Sequence, residues 1–317
     1  MKIYLIGAEK SFLEKIQNII HDEGIEDTHI YTSNEVSPQQ LLENTSDCEI
    51  LVASPSGFKY LSREHMESMP QLKLISTTSV GTDWLDVKAA KERNIVVSNQ
   101  KGVNSEAVAE HCFGMILNLS KRISEADRDM RSEGGTHDPS KYLGINIYGK
   151  TLGIIGLGDI GKIVARIGKG FSMRIIGVNK SKQEIKDIEI CDMETLLKES
   201  DVIVVTVPFD NTTLNMLSTK EFSLIKQGSI LVSISREQVI NKEAVLKAIE
   251  KGTISGFGFD ADIMVPMEKN DPWFSSKRII VTPHSASVTK ESEKGYATMT
   301  VENIKAFAEG KPLRVVG

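Results

Sequence analysis

Short runs rich in valine and isoleucine alternate along the chain with stretches in which apolar residues recur every three or four positions. The first series is KIYLIG, THIYTS, EILVAS, LKLISTTS and NIVVSN, separated by segments such as SFLEKIQNIIHDEG and DWLDVKAAKER. A strand that is apolar at consecutive positions is buried on both faces, and the amphipathic segment after it supplies the cover, so this pattern predicts a parallel sheet. One long helical pattern follows from about Asn104, NSEAVAEHCFGMILNLSKRISEADRDMRSE, and gives way to a turn-rich connection, GGTHDPSKYLGINIYGK. A second series, TLGIIG, RIIGVN, IEICD, DVIVVTVP, SILVSIS, ISGFGFDA and RIIVTP, leads to a closing helix, TKESEKGYATMTVENIKAFAEG. The expected architecture is α/β, with two doubly wound parallel-sheet domains and functional residues at strand C-terminal ends.

Composition narrows the class. A chain of 317 residues has room for two domains, each burying its own core. The net charge of −5 gives no reason to expect a nucleic-acid or anionic-membrane partner. No run approaches the roughly 18 apolar residues of a membrane span, and MKIYLIG reads as a strand rather than a signal peptide. Cys48, Cys112 and Cys191 are odd in number and widely spaced, which fits free thiols in a reducing compartment rather than a metal site or disulfide framework. A cytoplasmic protein is expected.

The sharpest local pattern is TLGIIGLGDIGKIVARIGKG. Gly156, Gly158 and Gly161 form G-x-G-x-x-G directly after an apolar strand and at the start of a helix. The first glycine permits a tight turn, the second lets a pyrophosphate approach the backbone, and the third lets helix and strand pack closely. The amides of Asp159 and Ile160 would point at phosphate oxygens, aided by the helix dipole. Such glycines alone also fit a plain structural turn; the strand before, the helix after and RIIGVN at the right distance select dinucleotide binding. At the end of that next strand, where an acidic residue would bind the ribose hydroxyls of NAD, stands Asn179, followed by Lys180, Ser181 and Lys182. A neutral amide with lysine and serine beside it favours NADP(H) over NAD(H), although both lysines also read as solvated surface charges.

Several further stretches fall in one order and spacing: SVGTDWLDVKAAKERNIVVSN, NSEAVAEH, YGKTLGIIGLGDIG, VPFDNTT, SISREQVI, GFDADIMVP and VTPHSASVT. Together they resemble the D-isomer-specific 2-hydroxyacid dehydrogenase family, which includes D-3-phosphoglycerate dehydrogenase and the glyoxylate/hydroxypyruvate reductases. The resemblance implies a flavodoxin-like substrate domain from residues 1–101 and 287–317, with a Rossmann dinucleotide-binding domain, 102–286, inserted into it. It also implies a homodimer formed through the helix from Asn104. The activity implied is hydride transfer between NADP(H) or NAD(H) and C2 of a small 2-oxo or 2-hydroxy acid.

Residue by residue, Arg236 matches the family's substrate arginine, whose planar guanidinium holds a 2-oxo acid by carboxylate and keto oxygen. Read alone, it is equally a surface arginine at a strand end. His284 matches the acid/base histidine that protonates the keto oxygen as hydride reaches carbon. The other five histidines, His111 among them, fit none of the motifs and read as ordinary surface or core residues. Pro208, Ile234 and Asp260 would line the cofactor, Asp260 near the nicotinamide carboxamide. Ser54, the amides of Val80 and Gly81, and Asn104 would serve the substrate; each also fits turn or cap chemistry.

Two positions depart from the family. Its glycine after the arginine is Glu237 here, where an altered backbone is expected. Its glutamate five residues after the aspartate of GFD is Val265, and neither Asp262 nor Glu268 inherits that place. A carboxylate there would favour imidazolium, so an acidic optimum or reduced turnover is expected, tested by Val265→Glu. Two other readings stay open at this point: a dinucleotide-binding regulator or scaffold with weakened catalysis, and a hydride-transfer enzyme with another donor such as phosphite.

Overall fold

The computed structural model describes residues 1–32, 36–133, 138–180, 184–260 and 267–317. The chain divides into two compact units, Met1–Asn104 with Thr289–Gly317, and Ser105–Val288.

In the first unit, β1 (Ile3–Gly7), β2 (Thr28–Thr32), β3 (Ile50–Ala53), β4 (Leu74–Thr77) and β5 (Val96–Ser98) form a parallel sheet in the order β2-β1-β3-β4-β5. This is the flavodoxin-like order, whose direction reverses between β1 and β3. Alternate residues of the apolar runs serve opposite faces. Ile3, Leu5, Ile50, Val52 and Leu74 pack with Leu13, Ile16 and Ile20 of α1 (Lys10–Asp22) and Ala297, Val301 and Ile304 of α11 (Lys290–Ala308). Tyr4, Ile6, Leu51, Ala53 and Ile75 face the other way, onto Leu41, Met66, Ala89 and Ala90. Both faces are dry, which is why these strands carry no polar alternation.

In the second unit, β6 (Thr151–Ile155), β7 (Arg174–Val178), β8 (Glu189–Ile190), β9 (Val202–Val205), β10 (Ser229–Ser233), β11 (Ile254–Asp260) and β12 (Ile279–Thr282) pair in parallel. Their order is β12-β11-β10-β9-β6-β7-β8. The first six strands in sequence take the dinucleotide-binding order, reversing between β6 and β9, and β12 extends one edge. Again the strands sort by parity: Leu152, Ile154, Val202, Val204, Ile230 and Val232 face one core and Ile155, Ile203, Val205 and Leu231 the other.

The single long helix expected from Asn104 is two. α5 (Ser105–Lys121) buries Val108, Ala109, Cys112, Phe113, Met115 and Ile116, and α6 (Ile123–Glu133) follows after a break at Arg122, whose φ is 56°. The break is held by side chains. Asn118 Oδ1 accepts the Ser124 amide at 2.8 Å, and the Arg122 guanidinium grips Glu125 at 2.6 and 2.8 Å. The strand expected over IEICD shrinks to Glu189–Ile190, which has a neighbour on one side only. Among the described residues, no helix is long and apolar enough to cross a membrane.

Candidate functional site

Every described candidate residue of the second unit follows or ends a strand of the seven-stranded sheet at its C-terminal edge. Read across the sheet, His284 follows β12, Asp260 ends β11, Ile234 and Arg236 follow β10, Pro208 follows β9, the glycine turn follows β6, and Asn179 and Lys180 follow β7. At ~4.8 Å between strands, the row from Asn179 to Asp260 covers four steps, roughly 19 Å. The turn lies where the strand order reverses, the position at which open α/β sheets take dinucleotides.

The three glycines each have a physical reason. Gly156 has φ 100°, and a Cβ there would lie 2.9 Å from Thr206 Oγ1, which itself donates to the Gly156 carbonyl at 2.6 Å. A Cβ on Gly161 would come within 2.1 Å of that same carbonyl oxygen, so helix and turn touch backbone to backbone. Gly158, by contrast, is exposed and meets nothing within 4 Å. It caps α7 (Asp159–Gly170) with no side-chain cap bond, so the first helical N–H groups, those of Asp159 and Ile160, have no capping side chain. These residues fit a pyrophosphate.

Farther along the row, Ile234 donates its N–H to Val205 O at 3.2 Å and Ser235 bonds the Val207 carbonyl, so β10 and the segment after β9 are tied beside Pro208. Arg236 is half-buried and caps a short turn, Glu237–Val239. The departure at Glu237 needs no glycine, because its φ is not left-handed. Its carboxylate accepts the indole N–H of buried Trp273 at 2.9 Å and lies 3.7 Å from Lys242 Nζ, anchoring the residue next to Arg236.

His284 is half-buried, has φ 55°, and donates its N–H to Thr282 O at 3.0 Å. Asp260, 7% exposed, fastens this loop from beneath. Its Oδ1 accepts the Thr282 hydroxyl at 2.6 Å and the Ser285 N–H at 3.0 Å, and its Oδ2 accepts the Ala286 N–H at 3.1 Å. The aspartate expected to face nicotinamide is seen holding residues on either side of His284. Sequence reasoning missed one neighbour altogether: His111 Nε2 lies 3.1 Å from Thr282 Oγ1. The signal was its place in NSEAVAEH, a stretch already singled out.

The first unit's candidates occupy loops at strand C-terminal ends of its own sheet. Ser54 follows β3; its hydroxyl bonds that of Ser56 and accepts the Ser56 N–H at 3.1 Å. In the turn after β4, Val80 O accepts Asn99 Nδ2 at 2.8 Å, and Gly81 O accepts Ser79 Oγ at 2.8 Å and Trp84 Nε1 at 3.0 Å. Asn104 donates to the Tyr296 hydroxyl at 3.0 Å. Ser181, Asp262 and Val265 lie outside the described residues.

Of the cysteines, burial pushes the Cys48 thiol up to about 12 and the Cys112 thiol higher still, so neither is a nucleophile near neutral pH. No group of three His, Cys, Asp or Glu among the described residues is placed to hold a metal ion.

Residues 113–286 match the family model "D-isomer specific 2-hydroxyacid dehydrogenase, NAD binding domain". The chain is similar to a glyoxylate reductase of Thermococcus litoralis, 37% identical over 281 residues, which covers 86% of this chain and 84% of that relative. Among solved structures, an acyclic imino acid reductase in complex with NADPH and D-Arg superposes with a TM-score of 0.91 at 29% identity, covering 100% of both chains. The D-lactate dehydrogenase of Aquifex aeolicus, complexed with NAD and lactic acid, superposes with a TM-score of 0.85 at 30% identity, covering 98% of this chain and 96% of that one.

Proposed function

This chain belongs to the D-isomer-specific 2-hydroxyacid dehydrogenase family of NAD(P)-dependent oxidoreductases, and from that premise we propose that it reduces a small 2-oxo acid, glyoxylate foremost, with NADPH. The observation that carries this reading is the row at the C-terminal edge of the seven-stranded sheet, with a glycine turn in its middle and Arg236, Asp260 and His284 to one side. The dinucleotide, when bound, supplies the hydride. Arg236 holds the substrate carboxylate and polarises the keto group; a planar fork of donors does both at once. His284 hands a proton to the oxygen as the alcohol forms. Ser54, Val80, Gly81 and Asn104 are proposed for the substrate on the family resemblance alone.

For the dinucleotide, Asp159 and Ile160 would bind pyrophosphate through their amides, with Pro208 and Ile234 lining the site. Asn179 and Lys180 support NADPH, since neither repels a 2′-phosphate and Lys180 is an exposed cation. The inserted unit would be the dinucleotide domain and the unit built from both chain ends the substrate domain. A homodimer is supported by exposed apolar side chains on α6 and the connection after it: Ile123, Met130, Leu143, Ile145 and Tyr148. Light scattering tests that, with a dimer mass expected.

A second reading, favoured by the full-length likeness to the NADPH-bound imino acid reductase, replaces the keto oxygen by an imine nitrogen. One assay separates the two. NADPH oxidation is followed with glyoxylate, hydroxypyruvate and pyruvate, with and without ammonium; turnover without amine supports the oxo acid, and turnover that requires amine supports the imine. Nucleotide binding without turnover on any of these would favour a regulator.

A further inference from the structure

We infer that His111 is a positioning residue for His284, acting through Thr282 and Asp260. The inference rests on the reading of His284 as proton donor and adds a part to it.

Three elements contribute one side chain each. His111 comes from α5, Thr282 ends β12 and Asp260 ends β11. Asp260 accepts two backbone N–H groups, so it acts as an acceptor, and the Thr282 hydroxyl must donate to it. That leaves the hydroxyl's lone pairs facing His111, whose Nε2 at 3.1 Å therefore carries the ring proton. The result is a directional chain, His111 to Thr282 to Asp260, that ends on the amides of Ser285 and Ala286.

His284 sits at the point this chain controls. Its φ of 55° lies in the left-handed region, which residues with a Cβ populate sparsely. Such a conformation persists only where the surroundings over-determine it. Here Thr282, which opens the Thr-Pro-His turn, and the two residues after His284, Ser285 and Ala286, are all bonded to one carboxylate. Removing the donor on α5 frees the Thr282 hydroxyl to rotate, weakens its bond to Asp260, and loosens the turn that aims the imidazole. Proton transfer tolerates little displacement, so the loss falls on turnover and not on dinucleotide affinity.

The test compares His111→Leu with His111→Gln, whose amide reaches as an Nε2 donor, and Thr282→Val with Thr282→Ser, which keeps the hydroxyl. Each is assayed for NADPH oxidation with glyoxylate and for hydrogen–deuterium exchange at Ser285 and Ala286. His111→Leu and Thr282→Val are expected to lower kcat about 10- to 100-fold, keep the KM for NADPH within about twofold, and speed exchange at both amides. Gln and Ser recover most of both losses. The double variant His111→Leu/Thr282→Val falls no further than either single change, because one chain is already broken. Parental kcat and exchange in His111→Leu overturn the inference, as do losses in His111→Gln equal to those in His111→Leu, or multiplying losses in the double variant. Should His111→Leu fail to fold, Thr282→Val against Thr282→Ser decides through the hydroxyl alone. Unchanged exchange counts against this inference only, whereas a parent that oxidises no NADPH with any 2-oxo acid counts against the reading of the site.

Discussion

Glu49 and Asp201 hold the same place in the two sheets. Each immediately precedes the strand just past the reversal, β3 in one unit and β9 in the other. Each accepts a backbone N–H at the foot of the neighbouring strand, from Lys2 at 3.1 Å and from Thr151 at 2.9 Å. Each also pairs with a lysine ahead of the strand on its other side, Lys73 at 2.7 Å and Lys226 at 2.8 Å. At the opposite edge the likeness ends. In the second sheet the turn past β6 is left-handed at Gly156 and open at Gly158. In the first sheet the turn past β1 has Gly7 with no left-handed φ, the hydroxyls of Ser54 and Ser56 close against it, and α1 is preceded by exposed Glu9. Both helices start beside an acidic residue, Glu9 before α1 and Asp159 opening α7, so the open left-handed turn and not the charge at the helix start separates the two edges. The two units thus share one anchoring scheme at their N-terminal edges and differ at their C-terminal edges.

The largest effect that would sharpen this contrast is at Arg236. Arg236→Ala should lower kcat/KM for glyoxylate by about a thousandfold, roughly 4 kcal/mol, and Arg236→Lys should stay about a hundredfold down because the bidentate fork is lost. Steady-state kinetics at one fixed NADPH concentration reads both. Next come the glycines. Gly161→Ala places a Cβ 2.1 Å from the Gly156 carbonyl oxygen and should weaken NADPH by at least about tenfold while lowering Tm. Gly7→Ala meets Ser54 at 3.3 Å and should leave the NADPH Kd unchanged. Equal effects of the two on nucleotide affinity would break the contrast. Smaller again, Lys180→Ala should cut the preference for NADPH over NADH by about tenfold or less, as befits an exposed ion pair.

The smallest effect tests what the sheets share. Bonding to Lys73 holds the Glu49 carboxyl below the usual carboxylate range. For Asp201, burial opposes ionisation, but Lys226 and the Thr151 amide outweigh it and the carboxyl is again lowered. A carboxyl lowered in the folded state stabilises fully above its unfolded value of ~4, and the contribution fades as pH falls through the folded value. Glu49→Gln and Asp201→Asn should therefore each cost about 1 kcal/mol at pH 7, a few degrees in Tm, and converge with the parent as the pH falls through the lowered folded values. Neither should alter kcat.

The strands were legible because burial on both faces leaves unbroken apolar runs, and the glycine turn was legible because its context is local. Strand order followed from the resemblance and the alternation together. The break at Arg122 was not legible: SKRIS carries neither glycine nor proline, and the bonds around its left-handed turn, Arg122 to Glu125 and to the Lys141 carbonyl and Asn118 to Ser124, follow no spacing rule. His111 was passed over for a related reason. Its partner Thr282 is 171 residues away, and no spacing rule on α5 marks it as different from a core histidine. Asp260 was found, yet its hydrogen bonds to the loop around His284 emerge only when β11 and β12 lie side by side.

The most direct test of the central claim uses His284→Asn, with NADPH affinity measured by titration beside the rate of glyoxylate reduction. A dinucleotide seated on the Gly156 turn with His284 as proton donor predicts a Kd within about threefold of the parent and turnover lower by at least about a hundredfold. Undiminished turnover in that variant, or a parent protein that takes up neither NADPH nor NADH, would contradict it.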